Sequence, residues 1–170
     1  MSTDEIEDYE DVTVYTLEPD TEAELLAAQN ELTFIWANKV GWPVGVIMSY
    51  VFREGRFWLT ASEQRKRITA VRRDARVSVV VTSKGSAVTG SRSLTYKGLC
   101  VVRDDQETKD WFYPALARAV NPTDEERAGR FAKFLDSPRR VILEMTPQER
   151  IGYDGTKMRA ATEHSAAFRN

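Results

Sequence analysis

Five residues within a short stretch, Thr60, Ser62, Arg65, Lys66 and Arg67, could together hold an anion. Thr60 and Ser62 stand in a hydroxyl-bearing loop, 60–64, after the apolar run Phe57-Trp58-Leu59. Arg65, Lys66 and Arg67 then open a helix whose first backbone N–H groups have no partner within it. Free N–H groups beside fixed cations form an anion site. From 65 to 76 there are six bases and one acid, a local charge of +5, so the rest of a chain of net charge −2 carries −7. A solvated basic face between two core strands is the plainer reading. A cationic island in an acidic chain is better explained by a bound anion. Strand, hydroxyl loop and Arg-rich helix start, in that order, place a phosphate at one end of a β-barrel.

Other catalytic sets are missing. His164 is the only histidine and falls in a polar C-terminal stretch, and Cys100 is the only cysteine. One of each builds neither a nucleophilic triad nor a closed zinc site, so no metal is expected. Lys84-Gly85-Ser86 lacks the upstream glycine spacing of a phosphate loop. Tyr50, Ser49 or solvent could supply a proton, and no side chain stands out as a dedicated acid or base. A cofactor can supply reactivity that the chain lacks.

The elements that must position these residues follow from composition and pattern. At 170 residues, 42% apolar and 10% aromatic, the chain suits one globular domain with a sizeable core. A pI near 5.6 argues against a nucleic-acid or anionic-membrane binder. Cys100 lies in a strand-like run as a buried thiol, and no intrachain disulfide can form. No apolar leader is seen and no apolar run approaches roughly 18 residues, so a soluble, cytoplasmic protein is expected. Residues 1–24 hold ten acids and no base. They imply an acidic arm over 1–20, with a short strand at 12–15; the folded unit spans 21–157 and a polar tail 158–170.

Thr21 and Glu24 read as a capping box opening a helix over 22–30 with Leu25 and Leu26 inward. Strands are expected over 32–38, 43–52, 56–60, 77–82, 94–103, 140–146 and 150–153, the last two parted by Pro147. Glu54-Gly55 marks a tight hairpin, and Gly98 a bulge or close backbone contact. The run 44–52 is apolar on both faces and reads as a central strand. Helices are expected from Asp105 to Asn121-Pro122 and over 123–136. Many short strands with few helices point to an antiparallel barrel.

The ordered motifs across 31–157 resemble the flavin-binding split-barrel superfamily, the pyridoxamine 5'-phosphate oxidase-like proteins. They comprise a Pro43-led strand into Met48 and Tyr50, the Gly55 hairpin, Arg65-x-Arg67 and Arg72-Arg73-Asp74-Ala75-Arg76-Val77-Ser78. Tyr96-Lys97-Gly98 and Arg150-Ile151-Gly152-Tyr153-Asp154 with Lys157 complete them. The pattern is closest to the branch using the deazaflavin coenzyme F-420. Arg67 stands where the family usually has Lys, Ala75 where it has Pro, and Ala70 where Asn or Gln is common. Arg67 keeps the charge and can bind phosphate bidentately.

The resemblance implies a mainly β fold, a split antiparallel Greek-key barrel (FMN-binding split barrel) with short flanking helices. It also implies a homodimer with the cofactor at the subunit interface. Thr60, Ser62, Arg65, Lys66 and Arg67 would hold the cofactor phosphate. Val46, Ile47 and Met48 would lie along the ring, whose pyrimidine edge a strand backbone can hydrogen-bond; plain core packing is the competing role for these three. Arg92 could reach the cofactor of a second subunit or be a surface charge. Exposed aromatics such as Trp42 and Trp58 add to the apolar surface a dimer would cover. The leading function is an F-420-dependent oxidoreductase moving hydride to or from a small organic molecule. FMN is the alternative cofactor, and a non-catalytic cofactor binder the alternative class. F-420 adds an acidic oligoglutamate tail, for which Arg72, Arg73 and Arg76 are candidates if they are not paired to acids.

Overall fold

The strand patterns fold into one curled antiparallel sheet; the computed structural model describes residues 11–164. Its strands are β1 (Glu31–Ala37), β2 (Pro43–Ser49), β3 (Val51–Arg53), β4 (Arg56–Ser62), β5 (Arg76–Thr82), β6 (Arg92–Arg103) and β7 (Arg140–Asp154). The helices are α1 (Pro19–Ala28), α2 (Lys66–Arg73), α3 (Gln106–Val120), α4 (Glu125–Leu135) and α5 (Gly155–His164).

The hydrogen-bonded order is β2-β1-β5-β6-β7-β4-β3. Its two end strands are consecutive in the chain, separated by Tyr50 alone. One bent segment therefore joins both ends and curls the sheet into a barrel. Beyond the bend the ends part: β2 pairs only with β1, while the Leu59 to Ser62 part of β4 pairs only with β7. That gap is the split.

Alternation sorts the side chains. Phe34, Phe57, Leu59, Val79, Leu94 and Met145 fill the barrel. On the outer face of β4 and β7, Trp58 and Ile142 form a second core with Phe112, Tyr113, Leu116 and Leu135 of the α3–α4 hairpin. Helix α3 is capped by Asp105, which accepts from Thr108 N at 2.9 Å, and α4 by Asp124, which accepts from Arg127 N at 2.8 Å. Cys100 is buried and free, and burial pushes its thiol pKa up. Glu144, buried on β7, is held by Arg56 at 3.2 Å and Arg103 at 2.7 Å.

Several sequence expectations change. Residues Val12–Val14 form a 3-10 turn capped by Asp11, not a strand. Helix α1 starts earlier, at Pro19, and Glu18 caps it with no side-chain hydrogen bond, so the Thr21–Glu24 box is not used. The segment read as one central strand is β2 and β3, both at sheet ends. Strand β7 runs unbroken through Pro147, because Pro147 lies opposite Gly98 at a register shift, where no N–H is required. The stretch read as a polar tail begins as helix α5. Trp58 is buried, its Nε1 donating to Arg53 O, whereas Trp42 is exposed. The Glu54-Gly55 hairpin is as expected, with φ of 54° and 73°, the primed-turn region.

Candidate functional site

The split brings strand edge, hydroxyls and cations together outside the barrel wall. Strand β4 runs two residues longer than its pattern suggested, so Thr60 and Ser62 are strand residues. Both share the outer face with Trp58, because Leu59 and Ala61 point inward. Thr60 Oγ1 donates to Val141 O at 2.8 Å, which commits its one hydroxyl proton to the β7 backbone. A turn follows, Arg65 N donating to Ser62 O at 2.9 Å, and α2 begins with Arg65 as its cap. Ile68, Ala70 and Val71 bury the inner face of α2, which fixes the direction of its first turn.

A cavity of about 230 Å³ opens there, lined by Ile47, Met48 and Ser49 of β2, Thr60, Arg67 and Arg140, and roofed by Leu116, Val120, Phe131 and Leu135. No carboxylate lines it. The Nε atoms of Arg67 and Arg140 are both buried and lack a hydrogen-bond partner. Burial, then the neighbouring Arg65 guanidinium, pulls the Arg67 pKa below its ordinary value. A guanidinium remains charged even so. Buried polar groups without partners are uncommon, and here two belong to arginines that line one cavity.

Four of the eight residues singled out from the sequence, Ile47, Met48, Thr60 and Arg67, thus meet at one cavity. The other four do not line it. Val46 packs against the barrel core, Ser62 lies on β4 beyond Thr60, and Arg65 is exposed at the helix cap. Lys66 points into a separate groove of about 630 Å³ with Asn38, Lys39, Gln64, Thr69 and Arg73, walled by Trp36, Val40, Val44 and Ala70. Met48 and Val46 share the inner face of β2 and Ile47 the outer one, so a planar ligand beside β2 would meet its backbone edge and Ile47.

Tyr50 is buried with its hydroxyl donating to Leu26 O at 3.2 Å, away from the cavity, and burial raises its pKa; Ser49 is the β2 hydroxyl at the cavity. Arg72 pairs with Glu63 at 2.7 Å and Arg76 with Asp74 at 2.7 Å, while Arg73 Nη2 donates to Ala37 O at 2.6 Å. Arg92 is held by Asp154 and Glu24. Sequence reasoning missed Arg140 and the α3–α4 roof. Arg140 opens a strand whose partner is Ser62, a pairing invisible along the chain.

No family model and no curated protein matches the chain. Solved structures do. A conserved hypothetical protein of Mycobacterium tuberculosis superposes with a TM-score of 0.73 at 16% identity, over 85% of this chain and 89% of that one. A pyridoxamine 5'-phosphate oxidase, so described provisionally, from Listeria innocua gives 0.60 at 17%, over 78% and 95%. An F-420 reductase gives 0.56 at 18%, over 75% and 93%. The fold is a mainly β split barrel with flanking helices, as expected. Among the described residues no helix is long and apolar enough to cross a membrane.

Proposed function

We propose that this chain is an oxidoreductase that uses a flavin-type cofactor, foremost coenzyme F-420, to pass hydride to or from a small organic molecule. The observation that carries the reading is the cavity where the unpaired edge of β2 meets the unpartnered Arg67 guanidinium. The residues fit such a cofactor. An orphaned buried Nε suits a phosphate oxygen, and an unpaired strand edge offers the alternating N–H and C=O groups that a pyrimidine ring needs. The cofactor would supply the hydride chemistry; the chain would supply binding, orientation and exclusion of water. The solved pyridoxamine 5'-phosphate oxidase-like and F-420 reductase structures of the same fold support the class.

F-420 is preferred to FMN because of the groove at Lys39, Lys66 and Arg73, which has no carboxylate in its lining. It can take the acidic tail that FMN lacks, whereas Arg72 and Arg76 are neutralised by Glu63 and Asp74. Titrating the purified protein with F-420 and FMN by absorbance should show tighter binding of F-420. Reduced F-420 should then be consumed only with an unsaturated or carbonyl acceptor, at equal rates under air and nitrogen. Preferential FMN binding with fast oxygen consumption would favour the flavin oxidase alternative, and binding without turnover a carrier.

A homodimer is proposed on a separate observation. Ile47, Thr33, Val80, Thr95 and Ile151 stand opposite one another across five strands, β-branched throughout and facing away from the barrel core. Ile47 is 70% and Ile151 58% exposed. Ile47 belongs to both this row and the cavity, so a second copy on this face would border the cofactor site. Sedimentation at micromolar concentration should show a dimer, shifted to monomer by Ile151→Lys. A monomeric wild type with full cofactor affinity would overturn the shared site.

A further inference from the structure

We infer that Arg140 is a second phosphate ligand, closing on the anion from the β7 side while Arg67 holds it from α2. The inference rests on the phosphate half of the proposed function and extends it to a residue outside the strand, turn and helix motif. Arg67 and Arg140 line the same cavity of about 230 Å³. Each has a buried Nε with no partner, and neither forms an ion pair with a carboxylate among the described residues. Other guanidiniums of this chain find acids: Arg56 and Arg103 share Glu144, Arg72 takes Glu63 and Arg76 takes Asp74. Both are cations lining one small cavity, and an anion bound there would be attracted to each.

The surroundings fix Arg140 for this role. Its residue pairs directly with Ser62 across β4 and β7. Its backbone N–H donates to Ser137 O at 3.0 Å. Its guanidinium lies 5.8 Å from the centroid of the Phe134 ring, which itself stacks on Phe131 at 6.2 Å and 16°. Phe131 is part of the cavity roof. The α3–α4 hairpin thus contacts the guanidinium through a ring, which gives Nε no hydrogen-bond acceptor. Thr60 lines the same cavity, but its hydroxyl proton goes to Val141 O, so the donors offered to an anion come from Arg67 on α2 and Arg140 on β7.

FMN and riboflavin share the ring and differ by the phosphate, which makes them the direct probes. Wild type, Arg140→Ala, Arg140→Lys and Arg67→Ala are titrated with both, and melting is followed with and without inorganic phosphate. Arg140→Ala should weaken FMN binding at least about tenfold, the equivalent of one charge-assisted hydrogen bond, and leave riboflavin binding unchanged. Arg140→Lys should recover part of the loss. Inorganic phosphate should raise the melting temperature of wild type more than that of Arg140→Ala. If Arg67→Ala is selective for FMN but Arg140→Ala weakens both probes equally or neither, Arg140 is no phosphate ligand and the proposed cofactor site stands. If wild type binds riboflavin as well as FMN and phosphate does not stabilise it, both readings fall. Phosphate stabilisation that depends on Arg140, with no binding of FMN, riboflavin or F-420, keeps the ligand assignment and overturns the cofactor.

Discussion

Arg67→Ala is expected to lower the affinity for FMN and for F-420 by about ten- to a hundredfold, with riboflavin binding unchanged. The factor follows from one lost charge-assisted bond of roughly 1.5–3 kcal/mol. Arg67 is singled out within the basic cluster because it alone of Arg65, Lys66 and Arg67 lines the cavity at the split. Arg65→Ala, at an exposed cap, should change affinity only a few-fold. The fold should not suffer. Arg67 Nε is buried without a partner, a state that costs about 1–3 kcal/mol in the empty protein. Its removal should leave the melting temperature unchanged or raise it. Titration and thermal melting on the same preparations separate the cases, and a loss shared equally by FMN and riboflavin would remove Arg67 from the phosphate site.

Gly98→Ala is expected to destabilise the barrel by about 1–3 kcal/mol, a fall of roughly 2–12 °C in melting temperature for a chain of this size. A Cβ at Gly98 would stand 2.2 Å from Thr146 O and 2.7 Å from Met145 Cε. The methionine end can rotate away. The carbonyl belongs to the backbone of β7, where Thr146 pairs with Leu99 of β6 and the preceding Met145 with Phe57 of β4. Relief therefore requires strand separation at the bulge opposite Pro147. Gly129→Ala on α4 is the control: nothing lies within 4 Å of its Cβ position, and alanine should stabilise the helix by about 0.5–1 kcal/mol. Equal melting of both variants would show that the bulge has room.

Much of the fold was legible because its signals are local. The Glu54-Gly55 turn, the Asp105 start of α3 and the Asn121-Pro122 stop are written in adjacent residues. The alternation of β1, β5 and β6 is equally plain. Gly98 was read as a bulge or close contact, and it is both. The errors arose where partners decide the outcome. Pro147 looked like a strand end, yet β7 continues because the facing residue is the glycine of a bulge. Thr21 and Glu24 had the spacing of a capping box, yet Pro19 starts the helix a turn earlier. Trp58 looked like surface until the α3–α4 hairpin covered it.

The candidate site divides along the same line. The sequence by itself determined which groups could bind an anion: hydroxyls at Thr60 and Ser62 and cations at 65–67. These features depend on residue type and short spacing, which the chain displays directly. Tertiary structure decided which cations line one cavity. It turned Arg67 toward the split and Lys66 toward a different groove, since adjacent residues on a helix lie about 100° apart. It paired Arg72 and Arg76 with acids. It also carried Arg140, 73 positions beyond Arg67 in the sequence, to the same cavity, because the antiparallel pairing of β4 with β7 sets Ser62 beside it.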